Sequence, residues 1–190
     1  MTMTPTDRAT YAIRSGLPRR HVEKIADRIE MTTEVNECLD RITPLLIARN
    51  TVLIRGAYGS GKTHMACHIG YHWPGTGKGG VRYQTVCGLL IEIKEQFGQK
   101  KTGDSPMVKA MNTGLLILDE LLANTGSTFD QNMIRELVDR RYRNLKPTII
   151  LTNLDDAGLI QALDQPTVDR FFDGGCIVTL KGKSQRARKE

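Results

Sequence analysis

From residue 51 onward, short β-branched runs, several of them apolar throughout, alternate with stretches whose apolar positions recur at helical spacing. The runs are 51–55 (TVLIR), 81–86 (VRYQTV), 114–119 (GLLILD), 147–152 (PTIILT) and 176–180 (CIVTL). Their length and β-branched content read as strands, and the segments between them, 61–72, 88–97, 128–143, 155–163 and 166–172, read as helices. A strand that is apolar at every position has no solvent face. Such strands alternating with helices predict a doubly wound α/β fold: a five-stranded parallel sheet with helices on both faces, its ligands at the carboxyl ends of the strands. Ahead of this core the pattern is weaker. A short helix is expected at 19–29 after the break Ser15-Gly16-Leu17-Pro18, and another at 32–48, where Val35, Leu39, Ile42 and Leu46 share a face and Pro44 should bend or divide the helix.

The 190 residues suffice for one α/β domain with a sizeable core. The division expected is a short N-terminal arm over 1–30 and one main domain over 31–190, made of helices at 31–50, a core at 51–180 and a basic tail at 181–190. With 39% hydrophobic and 25% charged residues the composition is that of a globular protein. No apolar run approaches the ~20 residues of a spanning helix and the polar start MTMTPTDRAT is no signal peptide, so a cytoplasmic protein without membrane contact is expected. Four cysteines, Cys38, Cys67, Cys87 and Cys176, include no C-x-x-C pair and read as free thiols. A net charge of +6, part of it on Lys181, Lys183, Arg186, Arg188 and Lys189, favours approach to a polyanion without proving one.

The chemistry begins at GAYGSGKTH, residues 56–64. Gly56-x-x-x-x-Gly61-Lys62-Thr63 lies between an expected strand and an expected helix, the context a phosphate-binding loop requires. Gly56, Ala57, Tyr58, Gly59, Ser60 and Gly61 let backbone N–H groups turn toward phosphate. Lys62 reaches the β- and γ-oxygens, Thr63 ligates Mg²⁺, and His64 follows on the helix. A second glycine-rich piece at 74–80 precedes a strand instead of a helix and reads as a connection. The strand at 114–119 delivers Asp119 and, next to it, Glu120. Asp119 suits an Mg²⁺ ligand acting through water, and Glu120 a base for the attacking water. A strand lying between these two would bring Asn153 to the γ-phosphate as a polar sensor; a turn asparagine is the plainer alternative. Arg170 is either an arginine acting on a neighbour's γ-phosphate or a surface residue paired with Asp169 or Asp173, and spacing does not separate the two. His64, His68 and His72 share one helix face, either as packing groups or as metal ligands, without a carboxylate beside them.

Together these residues resemble the DnaC/IstB group of AAA+ ATPases, bacterial and phage helicase loaders and transposition helpers. The resemblance runs over about 14–186. It rests on Ser15-Gly16-Leu17-Pro18-Arg19-Arg20, Gly61 to Ala66, Leu115 to Glu120, Arg141-Tyr142, Lys146 to Ile150, Thr152-Asn153-Leu154 and Asp169-Arg170-Phe171. It implies an ATPase taking ATP and Mg²⁺, assembled into a ring or spiral with ATP between subunits. Lys62, Thr63, Asp119 and Glu120 would form the cis site, Asn153 the first sensor, Arg170 the finger acting in trans, and Arg186 in Ser184-Gln185-Arg186 a second sensor. It also implies single-stranded DNA gripped between the second and third strands, where Lys94, Lys100, Lys101, Lys109 and Phe97 are candidates beside the plainer reading of a solvated lysine face. The partner implied is a replicative helicase, in a bacterial cell or phage-infected host.

The pattern departs from the group at its start, where about 30 residues stand in place of a separate N-terminal module; the minimal or absent lid expected at its end is typical of the group. The readings that follow are a DnaC-like helicase loader, an IstB-like transposition helper, a small P-loop phosphotransferase, and a nucleotide-dependent scaffold with little turnover. Glu120 and Thr152-Asn153 weigh against the phosphotransferase.

Overall fold

A computed structural model describes residues 3–27, 33–97, 103–123 and 126–181. In chain order these form α1 (Pro5–Arg14), α2 (Arg19–Ala26), α3 (Thr33–Ile47), β1 (Thr51–Gly56), α4 (Lys62–His72), a 3₁₀ turn (Trp73–Thr76), β2 (Val81–Thr85), α5 (Val86–Gln96), α6 (Pro106–Asn112), β3 (Leu115–Leu121), α7 (Thr128–Arg143), β4 (Thr148–Thr152), α8 (Asp156–Leu163), α9 (Gln165–Asp169) and β5 (Cys176–Leu180). The sheet is five-stranded with order β2-β3-β4-β1-β5, and every pairing is parallel.

Strand side chains alternate between two cores. Val52, Ile54, Leu115, Ile117, Ile149 and Leu151 face α1 to α4, whereas Leu53, Leu116, Leu118 and Ile150 face α5 to α9. All are essentially inaccessible to solvent, which is why these strands are apolar without a break. Helix starts follow from side-chain caps: Thr85 accepts from Gly88 N–H, Ser105 from Val108 N–H, and Ser127 forms a capping box with Asp130. α3 runs unbroken through Pro44, its buried Ile42 and Leu46 holding both sides of the proline against the core.

The expected polar arm differs most from what is found. Residues 5–26 form two helices, and their Ala12, Leu17, Val22 and Ile25 are buried in the same core as β1 and α4. Between them the chain covers the edge strand β2. Tyr83 N–H donates to Ser15 O at 2.8 Å and Val81 N–H to Tyr11 Oη at 3.0 Å, so part of the open edge is paired. This approach needs Gly16, at φ +91°, where a Cβ would stand 2.3 Å from Tyr83 O. At 74–80 the chain opens with the 3₁₀ turn, anchored by buried Trp73.

Candidate nucleotide site

β4 lies between β1 and β3, so three carboxyl ends stand side by side and their loops converge. The loop after β1 turns on glycines: Gly59 at φ +79° and Gly61, the residue capping α4, at φ +97°. At Gly56 a Cβ would lie 2.5 Å from Leu180 O on the neighbouring strand. Tyr58 is exposed at the loop, while Ser60 is buried and its Oγ has no hydrogen-bond partner.

Lys62, first residue of α4, is 9% exposed. Its Nζ donates to Gly56 O at 2.7 Å, to Ala57 O at 2.9 Å and to Asn153 Oδ1 at 2.6 Å. All three acceptors are neutral. Loss of hydration pulls the lysine below its ordinary range, with the Asp119 carboxylate opposing. Thr63 Oγ1 donates to Asp119 Oδ2 at 3.0 Å. The same oxygen accepts from Tyr83 Oη at 2.6 Å, and Asp119 Oδ1 accepts from Glu120 N–H at 2.8 Å. Burial, reinforced by Asp119, pushes the Tyr83 phenol up, so it stays a donor at neutral pH.

Glu120 is exposed and has φ +62°, a left-handed backbone that costs a non-glycine residue about 1–2 kcal/mol. It sits in a break of register, with Leu118 opposite Ile150 and Leu121 opposite Thr152, so Asp119 and Glu120 together face the single Leu151. The bulge keeps Asp119 buried and turns the next carboxylate outward.

The residues present fit a nucleotide triphosphate with a divalent cation. Lys62 is a buried cation whose bonded oxygens carry no charge, Ser60 Oγ is an unpartnered polar atom inside the loop, and the Thr63 hydroxyl and Asp119 carboxylate are oxygen ligands of the kind a hard cation takes.

The structure therefore brings Lys62, Thr63, Asp119 and Asn153 together, with Glu120 beside them. His64 lies on the flank of α4, its Nδ1 3.2 Å from Nδ1 of His21 on α2. The His68 and His72 rings meet at a tilt of 48° with centroids 4.5 Å apart, and among the described residues no group of three potential ligands is arranged to hold a metal ion. Arg170, just past α9, pairs with Asp139 on α7 and lies over the Tyr142 ring, its guanidinium carbon 5.7 Å from the centroid. Neither expected partner, Asp169 nor Asp173, holds it. Phe171 anchors this turn in the core and Phe172 is exposed. Arg186, Lys100 and Lys101 lie outside the described residues. Tyr83 has no place among the sequence-derived site residues, and Thr152 stands there only as the neighbour of Asn153 in its motif; only strand order could have pointed to Tyr83, which precedes Asp119 across adjacent parallel strands.

The profile of a family described as "IstB-like ATP binding protein" matches residues 34–190. The chain belongs to the IstB-like ATP-binding family. Among curated relatives of this family member, the replicative helicase loader DnaC of Escherichia coli (strain K12) is 29% identical over 138 residues, 72% of this chain and 56% of that protein. The replicative helicase loader DnaC of Buchnera aphidicola subsp. Baizongia pistaciae is 32% identical over 139 residues, again 72% and 56%. The chain thus spans about half the length of the curated relatives it matches. Among solved structures, the DnaC helicase loader superposes with a TM-score of 0.69 at 21% identity, covering 80% of this chain and 92% of the other. DnaI gives 0.67 at 14% identity, with 91% and 99% covered. The IstB-like chain shares their P-loop AAA+ fold, and no helix among its described residues is long and apolar enough to cross a membrane.

Proposed function

We propose that this chain is an AAA+ ATPase that uses ATP binding and hydrolysis to assemble on DNA in loading a replicative helicase. The observation that carries the reading is the pair of bonds Lys62 to Asn153 and Thr63 to Asp119, which gathers residues from three strand ends at one phosphate-binding loop. Bound ATP with Mg²⁺ supplies the phosphoanhydride whose cleavage drives the cycle. Lys62 and the loop from Gly56 to Thr63 bind phosphate oxygens, and Thr63 and Asp119 hold the cation. Glu120 orients the attacking water and takes its proton, while Asn153 fixes the γ-phosphate end. Arg170 acts on the nucleotide of a neighbouring copy, which makes association into a ring or spiral part of the site.

Similarity to DnaC supports the replicative helicase as protein partner. Single-stranded DNA is supported by an exposed aromatic pair, Phe97 and Phe129, with ring centroids 6.0 Å apart, on the side where α5 ends and α7 begins. Lys109 is exposed on α6; Lys94 is engaged by the buried Asp130 at 2.7 Å. Membership of the IstB-like ATP-binding family leaves a second reading, a transposition helper that selects target DNA.

Glu120→Gln is expected to bind ATP and to hydrolyse it at least ~100-fold more slowly than the wild type. Mixing it with Arg170→Ala should restore turnover at hybrid interfaces, because each variant supplies what the other lacks. No recovery at any ratio removes the trans role of Arg170. Capture of a replicative helicase or of a transposase from the native host, with and without ATP, decides between the two biologies.

A further inference from the structure

The Thr152 hydroxyl touches no residue assigned a role above, yet it joins the two loops that carry such residues. It is 2% exposed, donates to Leu121 O at 2.7 Å and accepts from Leu154 N–H at 3.1 Å. Leu121 follows Glu120 and Leu154 follows Asn153, so one side-chain oxygen pins the chain immediately after both polar groups. The bulge at Asp119-Glu120 interrupts the β3–β4 pairing at this point, and pairing resumes at Leu121 opposite Thr152. The bond from Thr152 to Leu121 O therefore closes the bulge on its far side, as the Glu120 N–H bond to Asp119 Oδ1 closes it on the near side. Between these two fixed points Glu120 has little choice but its left-handed backbone.

We propose that Thr152 is a positioning residue for ATP hydrolysis: its hydroxyl fixes the bulge that presents Glu120 and couples it to the loop bearing Asn153. The inference rests on the role of Glu120 proposed above. Catalytic geometry is sensitive at the ångström level, so releasing one anchor of the bulge slows turnover while the loop after β1, which binds phosphate, is untouched. Valine has the shape of threonine without the hydroxyl; serine has the hydroxyl without the methyl.

The test compares wild type, Thr152→Val, Thr152→Ser, Glu120→Gln and the double variant Glu120→Gln/Thr152→Val by turnover at saturating ATP and by affinity for a fluorescent ATP analogue. Thr152→Val is expected to lose ~10-fold or more in turnover with affinity within about twofold of wild type, and Thr152→Ser to stay within about twofold in both. In the Glu120→Gln background Thr152→Val should have no further effect, because the group it positions is already gone. Wild-type turnover in Thr152→Val, an equal loss in Thr152→Ser, a matching loss of affinity, or an independent loss on top of Glu120→Gln each overturns the inference. If Glu120→Gln itself turns over like wild type, the assignment of Glu120 falls and this inference with it. Should Thr152→Val not fold, Thr152→Ala takes its place with the same readings.

Discussion

The two ends of the sheet each hold a buried cation, and the two are satisfied in different ways. At the amino ends of β3 and β4, Arg141 of α7 is 1% exposed and meets six oxygens: Thr148 Oγ1 and the carbonyls of Ala110, Met111, Thr113, Gly114 and Pro147. At the carboxyl ends, Lys62 meets two loop carbonyls and one amide oxygen. Burial lowers both, Arg141 to about 9. The arginine is saturated by backbone that needs it in return, since its acceptors are the last carbonyls of α6 and the residues entering two central strands. The lysine leans on a loop and on Asn153, groups that a phosphate could replace. A cation whose partners are all structural belongs to the fold, and one held at a strand end beside Thr63, Asp119 and Asn153 is the one proposed to serve the chemistry.

The largest effect expected from this contrast is on folding. Arg141→Leu leaves several buried carbonyls without a donor and should lower stability by about 3–4 kcal/mol, read as a fall in the urea midpoint. Arg141→Lys should recover little, because an ammonium has three donors and no planar fork to span α6, β3 and β4. A midpoint for Arg141→Leu close to wild type would break the comparison at its structural end.

Lys62→Ala should do the reverse. Hydrolysis is expected to fall by ~100-fold or more and ATP affinity with it, while the urea midpoint without nucleotide stays level or rises slightly, since a desolvated charge has been removed. Unchanged ATP affinity would mean that the cis site is misassigned. A large loss of stability would mean that Lys62 is a second Arg141.

Most of the sheet was legible in the sequence because both of its faces are buried. Strands such as 114–119 and 147–152 had to be apolar throughout, and their ends were marked by Asp119-Glu120 and Thr152-Asn153. The loop at 56–63 was legible because glycine is needed where backbone turns left-handed or approaches a neighbour. What could not be read depends on contacts across strands. Tyr83 reaches Asp119 from the adjacent strand, and the Thr152 hydroxyl acts on a bulge that no glycine announces, its left-handed residue being Glu120. Where Arg170 is taken as a surface residue, Asp169 and Asp173 were its expected partners, but α7 supplies Asp139 and Tyr142 from about 30 residues earlier. α1 went unread because PTDRATYAIR is largely polar and buries only Ala12 outright.

The smallest effect expected lies between the two ends, where α2 packs along α4 and half-buried histidines are held uncharged. His21 of α2 is pushed down to about 4, chiefly by burial and then by Arg20, His64 and Lys24, with Asp119 opposing; His68 is pushed to about 4 by burial, His72 and His64. A folded-state value below the unfolded 6.5 means that the unfolded chain binds more protons between about pH 4 and 6.5, so stability rises with pH across that window. The contribution is complete above about pH 6.5 and is lost as pH falls toward 4. Both rings are partly solvated, so after allowance for screening each is expected to cost on the order of 1 kcal/mol at pH 5 relative to pH 7.5. Urea midpoints of wild type and His21→Gln at these two pH values provide the check, the variant losing part of the slope. Equal slopes would mean that the Nδ1 contact between His21 and His64 tolerates a proton, and that the α2 side of the phosphate-loop helix is less closely packed than either cation site.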